Sequence, residues 1–139
     1  MKKNSIITRW EFRFVAHAAD EIPNIEKMRL GVFQHLIELM DGNITKWEPT
    51  IEESFRICGN IENDTRFDNG KCIITSEVAV IHRHDNILHV TTDSGSKYHL
   101  SLDNLSPEMS SQVEEYRNSG LVSDQVGIIF MQLNCFYNP

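Results

Sequence analysis

Apolar and polar residues alternate over 6–16, with Trp10, Phe12, Phe14 and Ala16 on one side and Arg9, Glu11 and Arg13 on the other. A period of two rich in aromatics predicts a half-buried strand. Past Pro23 the period lengthens. Ile25, Met28, Val32, Phe33, Leu36, Ile37, Leu39 and Met40 recur mainly at three- and four-residue spacing, which predicts a core helix over 24–41 that Gly42-Asn43 ends. Residues 43–53 read as a loop, with Trp47 and Pro49 laid over the core.

From Ser54 onward the pattern is β-rich. Asp68-Asn69-Gly70 carries the composition of a type I′ hairpin turn, joining a strand over 54–67, bent or bulged near Gly59, to a long one over 71–83. Asp85-Asn86 and Asp93-Ser94-Gly95 supply two more turns. A two-residue loop at the first pairs Arg83 with Leu88, His82 with His89 and Ile81 with Val90. A three-residue loop at the second, with a left-handed Gly95, pairs Val90 with Tyr98 and His89 with His99. That register places Ala79, Ile81, Leu88, Val90, Tyr98, Leu100 and Leu102 on one face, whereas a two-residue loop at Ser94-Gly95 would split them. A slip of one residue inverts the faces, so the apolar pattern selects the first register.

Ser106 and Pro107 cap a short helix with Met109, Val113 and Tyr116 inward and Gly120 at its end; an apolar strand is expected over 125–137. The fold class expected is therefore α+β: a curled antiparallel sheet, a meander that could close as a barrel, of about six strands with two helices. The order is β-α-β-β-β-β-α-β, with no linker that would divide residues 1–139 into two domains.

Composition narrows the setting. The chain has 139 residues, 40% apolar, enough for a core without staples. Cys58, Cys72 and Cys135 are odd in number and lack a C-x-x-C pair, so reduced, partly buried thiols inside strands are expected. Arg9, Glu11, Arg13 and His17 interrupt any apolar leader after Lys2-Lys3, and no run approaches the roughly 18 apolar residues of a membrane span. A cytoplasmic protein that does not enter membranes is expected. The net charge of −7, with scattered basic residues, disfavours direct binding of nucleic acid.

The register also aligns His82, His89 and His99 across three strands, with His84 two residues from His82 and Lys97 on the same face. These five could hold a ligand or anion. Three imidazoles could ligate a metal, but a flat row converges poorly on a tetrahedral ion and no carboxylate is placed to support it, so no metal or cofactor is assigned. A solvated polar face accounts for the same residues. His89-Val90-Thr91 and His99-Leu100-Ser101 also resemble the His-x-Thr/Ser elements of two-histidine phosphoesterases, which implies an acid–base pair at His89 and His99. In that family the two elements sit on separate lobes; here they are adjacent in sequence. No G-x-S-x-G, P-loop, G-x-G-x-x-G or H-E-x-x-H occurs.

Arg66-Phe67-Asp68-Asn69-Gly70, Ile74-Thr75-Ser76-x-Val78 and Val90-Thr91-Thr92-x-Ser94-Gly95-Ser96-x-Tyr98-x-Leu100 resemble a small β-domain of uncharacterised phage and mobile-element proteins, over residues 60–102. The resemblance implies an accessory factor that binds and blocks a host defence complex, and it carries no catalytic residues. The leading expectation is thus a non-enzymatic inhibitor with a protein partner, contacted through Trp47, Glu52, Glu53, Glu114 and Glu115. The alternatives are a phosphodiesterase or nuclease using His89 and His99, and a homodimeric structural subunit joined through its final strand or long helix.

Overall fold

A computed structural model describes residues 4–16, 22–122 and 128–130. The elements are β1 (Ile6–Ala16), α1 (Ile22–Met40), β2 (Lys46–Trp47), β3 (Phe55–Glu62), β4 (Lys71–Ile74), β5 (Val78–His84), β6 (Ile87–Thr92), β7 (Lys97–Ser101), α2 (Pro107–Ser119) and β8 (Ile128–Phe130). The class is α+β. The sheet runs β2-β5-β6-β7-β1-β3-β4, with β8 added to β1. It is curled and mostly antiparallel but not closed into a barrel. Among the described residues, parallel pairing enters only through β1, which meets β7 at Ile6↔His99, Leu105 at Trp10 and β8 at Phe14–Ala16. The remainder of the strand expected over 125–137 lies outside the described residues.

Two strands exceed the expected six. One is β2, in the segment read as a loop. The other arises because the strand expected over 71–83 breaks at residues 75–77. There Thr75 Oγ1 accepts from the Ile57 amide at 3.1 Å and donates to the Ser76 carbonyl at 2.7 Å. β4 ends the sheet on one side and β5 lies next to the opposite edge, yet only these three residues join them. Five consecutive Cα atoms reach at most about 15 Å, so the sheet must curl until its ends approach.

The break also changes a side chain's direction. A bulge between Val78 and Val80 turns Ala79 outward, and Val78 takes the inward place expected of it. Ile81, Leu88, Val90, Tyr98 and Leu100 are buried as expected, and Leu102 is half-buried.

A second bulge shapes β1. The pairs Thr8↔Asn60 and Glu11↔Cys58 leave Arg9 and Trp10 opposite Gly59 alone, with Arg9 at φ +49°. Gly59 is required there: a Cβ would fall 2.5 Å from Ile7 Cγ2 and 2.7 Å from the Thr8 carbonyl. The extra residue shifts the parity of β1, so Ile7 joins Trp10, Phe12 and Phe14 in the core.

α1 lays Ile25, Val32, Phe33, Leu36 and Leu39 on this core. Its C-terminal carbonyls at Leu39 and Met40 each accept from Arg83 Nη1 at 2.6 Å, so a β5 cation caps the negative end of the helix. α2 begins as expected, with Ser106 Oγ accepting from the Met109 amide at 3.0 Å, and ends at a left-handed Gly120. Buried Gln112 joins Met109 and Val113, while Tyr116 is half-buried. Arg117 on α2 pairs with Asp41 after α1 at 2.7 Å.

Candidate functional site: the outer face of the meander

The turns place the histidines as the register argument requires. Asp85 takes φ +54° in a two-residue loop and Gly95 takes φ +88°, giving His82↔His89, Val90↔Tyr98 and His89↔His99. Two more pairings extend the row: Lys46↔His82 at one end and Ile6↔His99 at the other. Lys46, His82, His89 and His99 thus cross four strands on the face opposite the core. His82, His84 and Lys97 are exposed; His89 and His99 are half-buried. All five residues expected to hold a ligand or anion therefore share one outward face.

Their spacing decides what they can do. The His89 and His99 rings meet edge to face, with centroids 4.3 Å apart and planes at 65°; His84 stands 6.3 Å from His89. Touching rings leave no gap in which a phosphodiester could sit between an acid and a base. Ser101, the hydroxyl of the second His-x-Ser element, accepts instead from the Asp103 amide at 3.1 Å. Among the described residues, no three His, Cys, Asp or Glu side chains are gathered to hold a metal ion, so His82, His89 and His99 do not form the metal set considered for them. Burial chiefly, then the neighbouring His99, His84 and His82, hold the pKa of His89 below its ordinary value. The shift favours the neutral form of His89. The acid nearest Lys46 is Glu48, 2.9 Å from its Nζ.

Beside His99 the face falls into an open groove of about 790 Å3 whose walls include Ser5, Asp64, Arg66, Ser96, Lys97 and His99. Arg66 forms the rigid wall. Its Nε donates to Asp64 Oδ1 at 3.0 Å, Nη2 to Asp64 Oδ2 at 2.8 Å and Tyr98 Oη at 3.0 Å, and Nη1 to Ser96 Oγ at 3.2 Å. Ser5 Oγ adds a donor to Asp64 at 2.8 Å. The hydrogen-bonded Arg66 guanidinium foremost, with Ser5, holds the Asp64 carboxyl well below the usual carboxylate range.

The Arg66 clamp also replaces an expected turn. β3 stops at Glu62, and residues 63–70 form a longer loop in which Asn63, not Asn69, takes the positive φ (+60°) beside Gly70 (+85°). Asp64 Oδ1 accepting from the Arg66 amide at 2.8 Å folds the chain there before the Asn-Gly step is reached. Asp64, Arg66 and Ser5 were not singled out from the sequence. The local Asp-x-Arg spacing was the available signal, but their meeting with Tyr98 was not.

The expected partner-contact residues fare unevenly. Trp47 is only 4% exposed, stacked between His35 at 5.1 Å and Phe55 at 5.2 Å, so it belongs to the core and offers no contact surface. Glu52 is exposed; Glu53 turns back to His35 Nδ1 at 3.0 Å and the Thr50 amide at 2.9 Å. Glu114 and Glu115 lie on α2, exposed and half-buried respectively. Of the thiols, Cys58 is half-buried in β3 as expected, Cys72 is exposed on β4 against expectation, and Cys135 lies outside the described residues.

No protein-family model matches the chain, and no curated protein or solved structure is significantly similar to it. Among the described residues, no helix is long and apolar enough to cross a membrane.

Proposed function

We propose that this protein acts by binding another protein, as an inhibitor or accessory factor of the kind the β-domain resemblance implies, and that it docks through the outer face of β5, β6 and β7. One observation carries the reading: Lys46, His82, His84, His89, Lys97 and His99 gather on a single outward face of a chain whose net charge is −7. Imidazoles and lysine side chains gathered in this way offer hydrogen-bond donors that complement an acidic surface and fix its register. The fitting partner presents an acidic patch, which the imidazole N–H groups and the lysine ammonium groups meet with hydrogen bonds. The edge-to-face contact of His89 and His99 supports binding over hydrolysis, because no substrate atom fits between the two rings.

The experiment uses the full chain as bait in bacterial lysate, beside a His82→Glu/His89→Glu/His99→Glu variant. A protein retained in stoichiometric amount by the first and lost, at least tenfold, from the second supports the proposal. Equal retention, or none on either, overturns it. Hydrolysis of RNA or a cyclic nucleotide that His89→Ala abolishes would restore the enzyme reading instead.

A further inference from the structure

Two thiols lie near each other at the far end of the sheet. β3 and β4 pair Cys58↔Ile74 and Asn60↔Cys72, so Cys58 and Cys72 are diagonal neighbours. Both share the outward face, since Ile57, Gly59 and Ile61 on β3 and Ile73 on β4 point inward. The Cys72 thiol is near enough to Cys58 to help raise its pKa. Both cysteines are free, and β4 is the last strand of the sheet path, held by β3 on one side.

We propose that Cys58 and Cys72 are a site of reversible oxidation, closing to a disulfide by exchange with low-molecular-weight disulfides of the glutathione type. The exposed Cys72 thiolate attacks the small disulfide, forming a mixed disulfide and releasing one small thiolate. Cys58, having lost its proton to solvent, then attacks the Cys72 sulfur and expels the second small thiolate. Two protein thiols are oxidised, two electrons pass to the small disulfide, and two small thiols result. A final S–S distance of ~2.05 Å requires β4 to slide along β3 and bring the diagonal pair together. An edge strand of four residues can do this without disturbing a partner on its far side. Strain of this kind makes a bond easily reduced, which is the property a reversible site needs.

Burial pushes the Cys58 thiol up to about 12, against the pull of Arg13 and with the repulsion of Cys72 and Glu11. Closure is therefore the slow step and accelerates with base. The ring it forms encloses the 63–70 loop, which carries Asp64 and Arg66, so oxidation would fasten one wall of the groove beside His99.

The test incubates the reduced full-length chain with oxidised glutathione at pH 8 and maps its peptides by mass spectrometry. A Cys58–Cys72 link lacking two hydrogens is expected. Closure should quicken about tenfold per pH unit between 7 and 9, as the Cys58 thiolate fraction rises. Cys58→Ser should stop at a glutathione adduct on Cys72. A mixed disulfide that persists in the unaltered chain, no reaction at all, or a link that involves Cys135 would overturn the proposal.

Discussion

The meander of β5, β6 and β7 and the pair β1–β3 are neighbours in one sheet, yet they are held in register by opposite means. The meander is set by two short turns, each closing within a few residues of the strands it joins. β1–β3 is set at one point, where the bulge at Arg9 and Trp10 presses on Gly59 from a distant stretch of chain. Turn chemistry spreads the control of register over many local contacts. A long-range bulge concentrates it on a single missing Cβ.

That contrast orders the effects of substitution. Gly59→Ala should cost the most, about 4 kcal/mol or failure to fold, because the atoms its Cβ would meet include backbone at 2.7 Å. The midpoint of urea denaturation measures it, and a loss below ~1 kcal/mol would mean that the bulge relaxes freely. In the meander, Leu100→Ala should cost about 3 kcal/mol by removing a fully buried side chain, again as a shift of that midpoint. Gly95→Ala should cost about 1 kcal/mol, since φ +88° strains any Cβ although open space surrounds it. Strand pairing should survive that change, visible as unaltered amide exchange across β6 and β7.

On the outer face the stability effects should nearly vanish. His89→Ala is expected to fall within about 0.5 kcal/mol at pH 7. Its signature is in pH. The folded pKa of His89 lies below that of the unfolded chain, so the unfolded state takes the proton first, and stability falls as pH drops below ~6.5. Removing His89 should flatten that part of the denaturation profile, and an unchanged slope between pH 7 and 5 would contradict the assigned burial.

Legibility in the sequence follows the same division. The facing of His82, His89 and His99 could be argued because a two-residue and a three-residue turn, plus alternating apolar positions, leave one register. Ala79 could not be placed, because the adjoining bulge inserts one residue without altering the composition around it. Trp47 looked like a loop residue because a two-residue strand has no period to detect. Residues 68–70 carried the right turn composition but lost to Asp64 and Arg66, whose side chains fold the chain earlier. The groove was hidden for a related reason: Arg66 and Tyr98 meet only once β7 and the 63–70 loop are packed, and no spacing along the chain announces that meeting. Gly59 was recognisable as a place for irregularity, though its bulged partner on β1 was not.

The account of function rests on the imidazoles of His89 and His99 touching on an outward face, with the pKa of His89 held below its ordinary value. Histidine-selective NMR tests this most directly. Cross-relaxation between ring protons of His89 and His99, together with a His89 titration midpoint below the ~6.5 of an unperturbed imidazole, is the predicted result. Rings without mutual contact, or a His89 midpoint at or above that value, would contradict it and reopen the space in which a catalytic pair could work.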